Sequence, residues 1–265
     1  MPSDVRLFHG VGVRYTLALM PTPSASRARF VRSSDQSLLV YFDPPPDSRA
    51  TDRRTLVAGN ESVRRLLQLL CSEPLPGVRN LHPAYCSLLV KFDLRKWRHE
   101  ELEDKLRAYL EQSDELPLPE PRLVEIPTCY GGEFGPDLED VATMHGMTPE
   151  EVIGLHTSPT YLVYFLGFVP GFAYLGELPM ALVTPRHATP RRKVPAGSVG
   201  IAGNQTGVYP CETPGGWRLL GRTPLTLLRP DHAGLSLLSI GDHVRFQAIS
   251  RDQFAVTQFA ARQNR

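Results

Sequence analysis

Residues Gly200–Pro224, GIAGNQTGVYPCETPGGWRLLGRTP, interrupt short apolar runs with Gly or Pro every few residues. SVGIAG, TGVYP and WRLLG are too short for stable helices, and their Val, Ile, Tyr and Trp content suits strands. Glycine is required where the backbone takes positive φ or closely approaches another group. Seven glycines between Gly197 and Gly221 exceed what plain hairpins need. The stretch therefore predicts the turns of a β architecture together with room for a ligand.

The same punctuation extends outward. TYLVYFLGF from Thr160, LTLLRP from Leu225 and HVRFQAIS from His243 add further short β runs, a pattern that indicates a barrel or sandwich. Upstream, LVEIPTCY reads as a strand, and LEDVATMHG and TPEEVIGLHTS read as short helices. Thr148 and Glu151 form a capping-box pair at the second helix. Three prolines in Leu116–Pro121 predict a stiff linker before this β-rich half.

Before the linker, SLLVYFDP (Ser37–Pro44) is echoed by SLLVKFDL (Ser87–Leu94), and both read as strands of one sheet. Asn60–Cys71 places Val63, Leu66, Leu67 and Leu70 on one helical face, with Asn60 or Ser62 as its cap. Arg98–Ser113 repeats the pattern through Leu102, Leu106 and Leu110. The fold class is therefore α+β: a small split βαβ sandwich at 29–115, a linker at 116–121 and a predominantly β domain at 122–265. Residues 1–28, Arg- and Ser-containing, read as a flexible extension rather than a transit peptide.

Charge excludes some functions. A formal net charge of +1 provides no broad field for nucleic acid or an anionic membrane, and no apolar run is long enough to span a bilayer. The four cysteines form no Cys-x-x-Cys pair, which argues for a reducing compartment and a cytoplasmic protein. The eight histidines include no HxH, HxxxH or HExxH, so no metal is expected. His156 and His187 are read as structural. Neither GxGxxG nor a P-loop occurs, and Ser198 in AGSVG lacks the strand-to-helix setting of a nucleophile elbow. The basic run PRHATPRRKVP, with Arg186, Arg191, Arg192 and Lys193, is either a solvated loop or an anion clamp. Gln205, Tyr209 and Trp217 among the glycines favour the clamp.

Taken in order, IPTCYGGEFGPDLEDVATMHGMTPEEVIGLH, YLVYFLGFVPGFAYLGELP, PRHATPRRKVPAGSVGIAGNQTGVYP, TPGGWRLLGRTP and GDHVRF closely resemble the family known as the B-type subunit of 5-oxoprolinase, kinase A inhibitor (KipI-like) or allophanate hydrolase subunit 1. The chain departs from the family pattern mainly near its start, where Ser34-Asp35 replaces the usual Gly-Asp. The resemblance implies a cyclophilin-like β-barrel at 122–265. It also implies half of a composite enzyme that opens 5-oxo-L-proline to L-glutamate at the expense of ATP and is inert alone.

The partners implied are a homologous β-rich subunit and a larger lactam-processing subunit. ATP is used by the complex, at a site that a partner can hold. Arg186, Arg191 or Arg222 would bind the substrate carboxylate and Gln205 its amide, with Thr206, Tyr209 and Trp217 completing the site. The resemblance also admits half of a biotin-dependent carboxyltransferase of urea carboxylase type, or a non-enzymatic inhibitor of a sensor histidine kinase.

Overall fold

A computed structural model describes residues 28–42, 53–229 and 235–263. The extension expected at 1–28 lies, apart from Ala28, outside them. Chain order begins β1 (Ala28–Ser34), β2 (Ser37–Phe42), α1 (Arg53–Ser72), β3 (Val78–Pro83), β4 (Ser87–Phe92) and α2 (His99–Ser113). These strands form one sheet in the order β1-β2-β4-β3. Every pairing in it is antiparallel, with Leu38 opposite Val90 and Val40 opposite Leu88. The two echoed segments are therefore neighbours, each the inner strand of a hairpin. Strand alternation turns Leu38, Val40, Leu88 and Val90 to one face, where Val63, Leu66 and Leu70 of α1 and Leu102, Leu106 and Leu110 of α2 cover them.

Helix α1 begins at Arg53, seven residues before the expected cap. Asn60 is thus a fully buried mid-helix residue, not a cap. Its Nδ2 donates to the carbonyls of Tyr85 and Tyr164, both at 3.0 Å, and to that of Ala84 at 3.4 Å. The side chain stitches α1 to the β3–β4 turn and to the barrel. Ser62 is not a cap either, because its hydroxyl donates back to the Ala58 carbonyl.

Residues 116–122 have no regular structure. The elements that follow are β5 (Leu123–Tyr130), α3 (Leu138–His145), α4 (Pro149–Thr157), β6 (Tyr161–Leu166), β7 (Ala173–Gly176), β8 (Arg191–Val194), β9 (Ser198–Ala202), β10 (Gln205–Val208), β11 (Thr213–Gly215), β12 (Arg218–Arg222), β13 (His243–Ala248) and α5 (Arg251–Gln263). Seven of these strands close a barrel in the order β10-β7-β6-β13-β5-β12-β9, while β8 and β11 pair separately. Closure leaves the seven strands no open edge. Ile126, Val163, Leu175, Val199, Ile201, Val208, Leu220 and Val244 fill its core.

Thr148 and Glu151 form the expected capping box on α4 through reciprocal bonds of 3.2 and 2.7 Å. Over its described residues 225–229, LTLLRP, expected as a strand, makes an isolated bridge from Leu228 to Ser236, flanked by Arg229 N–H to Leu235 O and Leu237 N–H to Leu227 O, each at 2.7 Å. The terminal helix α5 has no counterpart in the sequence reading. No described helix is long and apolar enough to cross a membrane.

The loop GGEFG (Gly131–Gly135) lies flat on β12, held by Gly131 N–H to Leu220 O and Asp137 N–H to Leu219 O, each at 3.0 Å. A Cβ on Gly135 would sit 1.8 Å from the Leu220 carbonyl oxygen, so only glycine fits. This close approach delivers Asp137 to the back of the candidate site.

Candidate functional site

Strand β7 alternates Ala173, Tyr174, Leu175, and the odd members enter the barrel core. Phe172, just before the strand, and Tyr174 emerge on the other side. There they meet Tyr209 and Trp217, with ring centroids 5.3 Å (Phe172–Tyr209), 5.4 Å (Phe172–Trp217) and 6.1 Å (Tyr174–Trp217) apart, in near edge-to-face contacts. Glycines make the room: a Cβ on Gly215 would lie 2.4 Å from the Tyr209 hydroxyl, and one on Gly207 would lie 3.2 Å from the Trp217 ring. The dense glycines of Gly200–Pro224 therefore admit aromatic rings as well as turning corners.

These rings, with Phe168, Pro190, Pro214, Gly216 and Arg186, enclose a cavity of about 260 Å³. Burial raises the Tyr174 and Tyr209 phenol pKa values, partly countered by the Arg186 charge, so both stay protonated donors at neutral pH. Arg186 is exposed and makes no hydrogen bond or ion pair with any described residue. Phe168, at the rim, is 61% exposed and holds a positive φ of 67°. A non-glycine residue in that region is strained by the contact between Cβ and the backbone.

The loop carrying Arg186 is pinned from behind by Asp137, whose side chain is almost fully buried. Its carboxylate accepts from Arg191 Nη2 at 2.5 Å and from the Leu219 N–H at 2.6 Å. His187 Nε2 lies 3.2 Å away, at ion-pair distance but off the hydrogen-bond direction. Burial pushes the Asp137 pKa up, but Arg191, the Leu219 amide and His187 outweigh it, and the net shift is downward. The His187 N–H also donates to the Gly216 carbonyl at 2.8 Å. One buried carboxylate thus locks β8, β12 and the Arg186 loop together.

Of the seven residues singled out by sequence, Arg186, Tyr209 and Trp217 share the cavity. Arg191 stands behind it as the partner of Asp137. Gln205 is turned away and donates its side-chain amide to the Tyr85 hydroxyl of the β3–β4 turn.

Thr206 is fully buried in the barrel. Its hydroxyl donates to the Gly200 carbonyl at 3.1 Å, so it accepts from His156 Nε2 at 2.8 Å. His156 Nδ1 must then accept from the Tyr130 hydroxyl, also at 2.8 Å. This assignment makes His156 the neutral Nε2–H tautomer, and burial lowers its pKa to about 3. Arg222 lies over the Phe134 ring, 5.8 Å from its centroid, and outside the cavity. Ser198 is fully buried with its hydroxyl unpartnered, a position closed to any substrate.

Sequence reasoning missed Phe168, Phe172, Tyr174 and Asp137. The alternation of Phe172 and Tyr174 along GFAYLG was a usable signal. For Asp137 there was none, because its partners lie 54 and 82 residues away in sequence.

Residues 28–238 match the carboxyltransferase domain, subdomain C and D. The B-type subunit of 5-oxoprolinase from Haemophilus influenzae is 52% identical over 211 residues, which make up 80% of this chain and 93% of that protein. The crystal structure of TTHA0988 is 36% identical with a TM-score of 0.68 over 81% of this chain; the chain spans only 40% of that longer polypeptide. The Kluyveromyces lactis urea carboxylase structure shares the fold at 18% identity, with a TM-score of 0.67 over 91% of this chain and 23% of that one.

Proposed function

Because this chain belongs to the family of B-type 5-oxoprolinase subunits and carries the carboxyltransferase C and D subdomains, we propose that it is one subunit of an ATP-dependent enzyme complex that opens 5-oxo-L-proline to L-glutamate. The reaction consumes one water to open the lactam and one to hydrolyse ATP. The observation that carries the reading is the aromatic cavity of about 260 Å³ with one unpaired guanidinium on its wall. Its size and walls suit a flat five-membered lactam, and Arg186 suits its carboxylate through a charge-assisted fork.

Tyr174 and Tyr209 supply phenol donors of the kind that could meet the ring carbonyl as charge develops on its oxygen. Asp137, Arg191 and His187 hold the Arg186 loop in place, so they act on the substrate through Arg186. Phe168 combines a place in the cavity lining with high solvent exposure. An exposed aromatic ring in a strained conformation at the rim suits a docking anchor for the companion subunit, whose arrival would exclude water from the site. The complex is therefore the active species, and this chain alone is inert.

The test is reconstitution with the companion subunits, followed by ATP-dependent glutamate release. Arg186→Ala should raise KM for 5-oxoproline about 10–100-fold, the loss of one charged hydrogen-bonded contact, with unchanged thermal stability. An unchanged KM would remove Arg186 from the site. The urea carboxylase fold and the carboxyltransferase family match favour a second reading, transfer of a carboxyl group from carboxybiotin. A reconstituted complex that releases no glutamate but accepts carboxyl groups from biotin would establish that reading instead.

A further inference from the structure

A second cavity, of about 350 Å³, lies along the flank of α1, beside the face that covers the sheet. Residues 64, 67, 68 and 71 form one wall, at the spacing of a single helical face. The proline segment 118–121 and the turn Ile240–Asp242 form the others. The segment is strapped at both ends. Arg65 Nε donates to the Leu116 carbonyl at 3.2 Å, and Arg122 binds Asp242 at 2.5 Å and the Leu237 carbonyl at 2.7 Å. The groove is thus a built junction between α1 and the barrel.

Its charges are unevenly satisfied. Asp242 is occupied by Arg122 and by the Ser239 N–H, and Glu120 is exposed at the lip. Arg64, half-buried, lays its guanidinium against Gly241, where an added Cβ would come within 2.3 Å of Nη2. None of its five donors is hydrogen-bonded to a described residue. Burial lowers its pKa, with the charges of Glu61 and Asp242 opposing and that of Arg65 adding to the fall, as expected of a cation without hydrogen-bond partners. Leu67, Leu118 and Ile240 add apolar surface beside it.

We propose that this groove is a second small-molecule site, which binds a monocarboxylate with an apolar body: the carboxylate on Arg64 and Gln68, the body against Leu67, Leu118 and Ile240. A bound ligand touches α1, the strap and the barrel turn at once, so it braces the sheet lobe against the barrel. The site is separate from the aromatic cavity and does not depend on the function proposed above.

Cys71 gives a local reporter, since it lines the groove and is exposed while Cys129 is buried. The full chain is alkylated with iodoacetamide in the presence of hexanoate or its neutral twin hexanamide, and Cys71 and Cys211 are followed separately by peptide mass spectrometry. Hexanoate should slow Cys71 alone, about tenfold at a concentration ten times its Kd, while hexanamide protects far less. Arg64→Gln should abolish the protection, and Arg64→Lys should restore part of it. Equal protection by both probes, protection that survives Arg64→Gln, or none up to the solubility limit of hexanoate would each overturn the assignment. The wild-type footprint stands even if a variant fails to fold.

Discussion

His156 offers a test of the barrel interior that is independent of any substrate. It is fully buried, donates to Thr206 and accepts from Tyr130, both at 2.8 Å, and lies 4.5 Å from the Phe246 ring centroid. Protonation would place a second donor at Nδ1, facing the Tyr130 hydroxyl, and a charge in an apolar core. The folded pKa of about 3 is below the ordinary histidine value of about 6.5. Between those values the unfolded chain binds a proton that the folded chain refuses, so stability is present above pH 6.5 and lost as pH falls toward 3. The loss from this one residue is about 2 kcal/mol between about pH 8 and pH 5, a sizeable share of a domain stability of about 5–15 kcal/mol.

The assay is urea unfolding across that range, comparing wild type with His156→Gln, whose amide can meet both partners but does not titrate. The variant is expected to be less stable than wild type at pH 8, with its pH dependence shallower by close to one proton near pH 5 and by progressively less as pH rises through 6.5. Identical slopes in the two proteins would show that the imidazole titrates alike folded and unfolded, and the buried-tautomer argument would be wrong.

Other positions give sharper structural tests. Arg191→Ala leaves the buried Asp137 without its cation and should lower stability by about 3 kcal/mol, visible in thermal melts, whereas Arg186→Ala should leave the melt unchanged. Asn60→Leu strands carbonyls at the junction of α1, the β3–β4 turn and β6 and should cost about 2–3 kcal/mol, measured by the urea midpoint; a neutral result would mean that water replaces the amide. Gly135→Ala drives a Cβ into the Leu220 carbonyl, a backbone atom that cannot step aside, and should cost about 3 kcal/mol or more, seen as loss of soluble protein or a collapsed melting temperature.

Much of the architecture is local in origin and was legible. The short apolar runs at Ser37 and Ser87, the leucines of α2 and the Thr148 capping box are each read from residues within a few positions of one another, so their element type was visible without knowledge of any distant partner. Asn60 shows where local rules end. An asparagine near a helical run reads as a cap, yet the helix continues upstream because carbonyls from two distant segments satisfy the amide in the middle of it. LTLLRP shows the converse, a strand-like composition that finds no continuous partner.

Of the candidate residues, Arg186, Tyr209 and Trp217 share one cavity, and a guanidinium and large rings among glycines are conspicuous in any fold. The division of labour was invisible. Whether an arginine faces a cavity or a buried carboxylate depends on Asp137, and whether Thr206 faces a ligand or a histidine depends on barrel register, which sends alternate residues to opposite sides of the wall. By itself the sequence determined element types, the β-rich second half and the kind of groups available for binding, since these follow from side-chain periodicity and backbone constraint. Only the closed barrel decided which groups meet, because hydrogen-bond partners and desolvation are set by contacts between residues tens of positions apart.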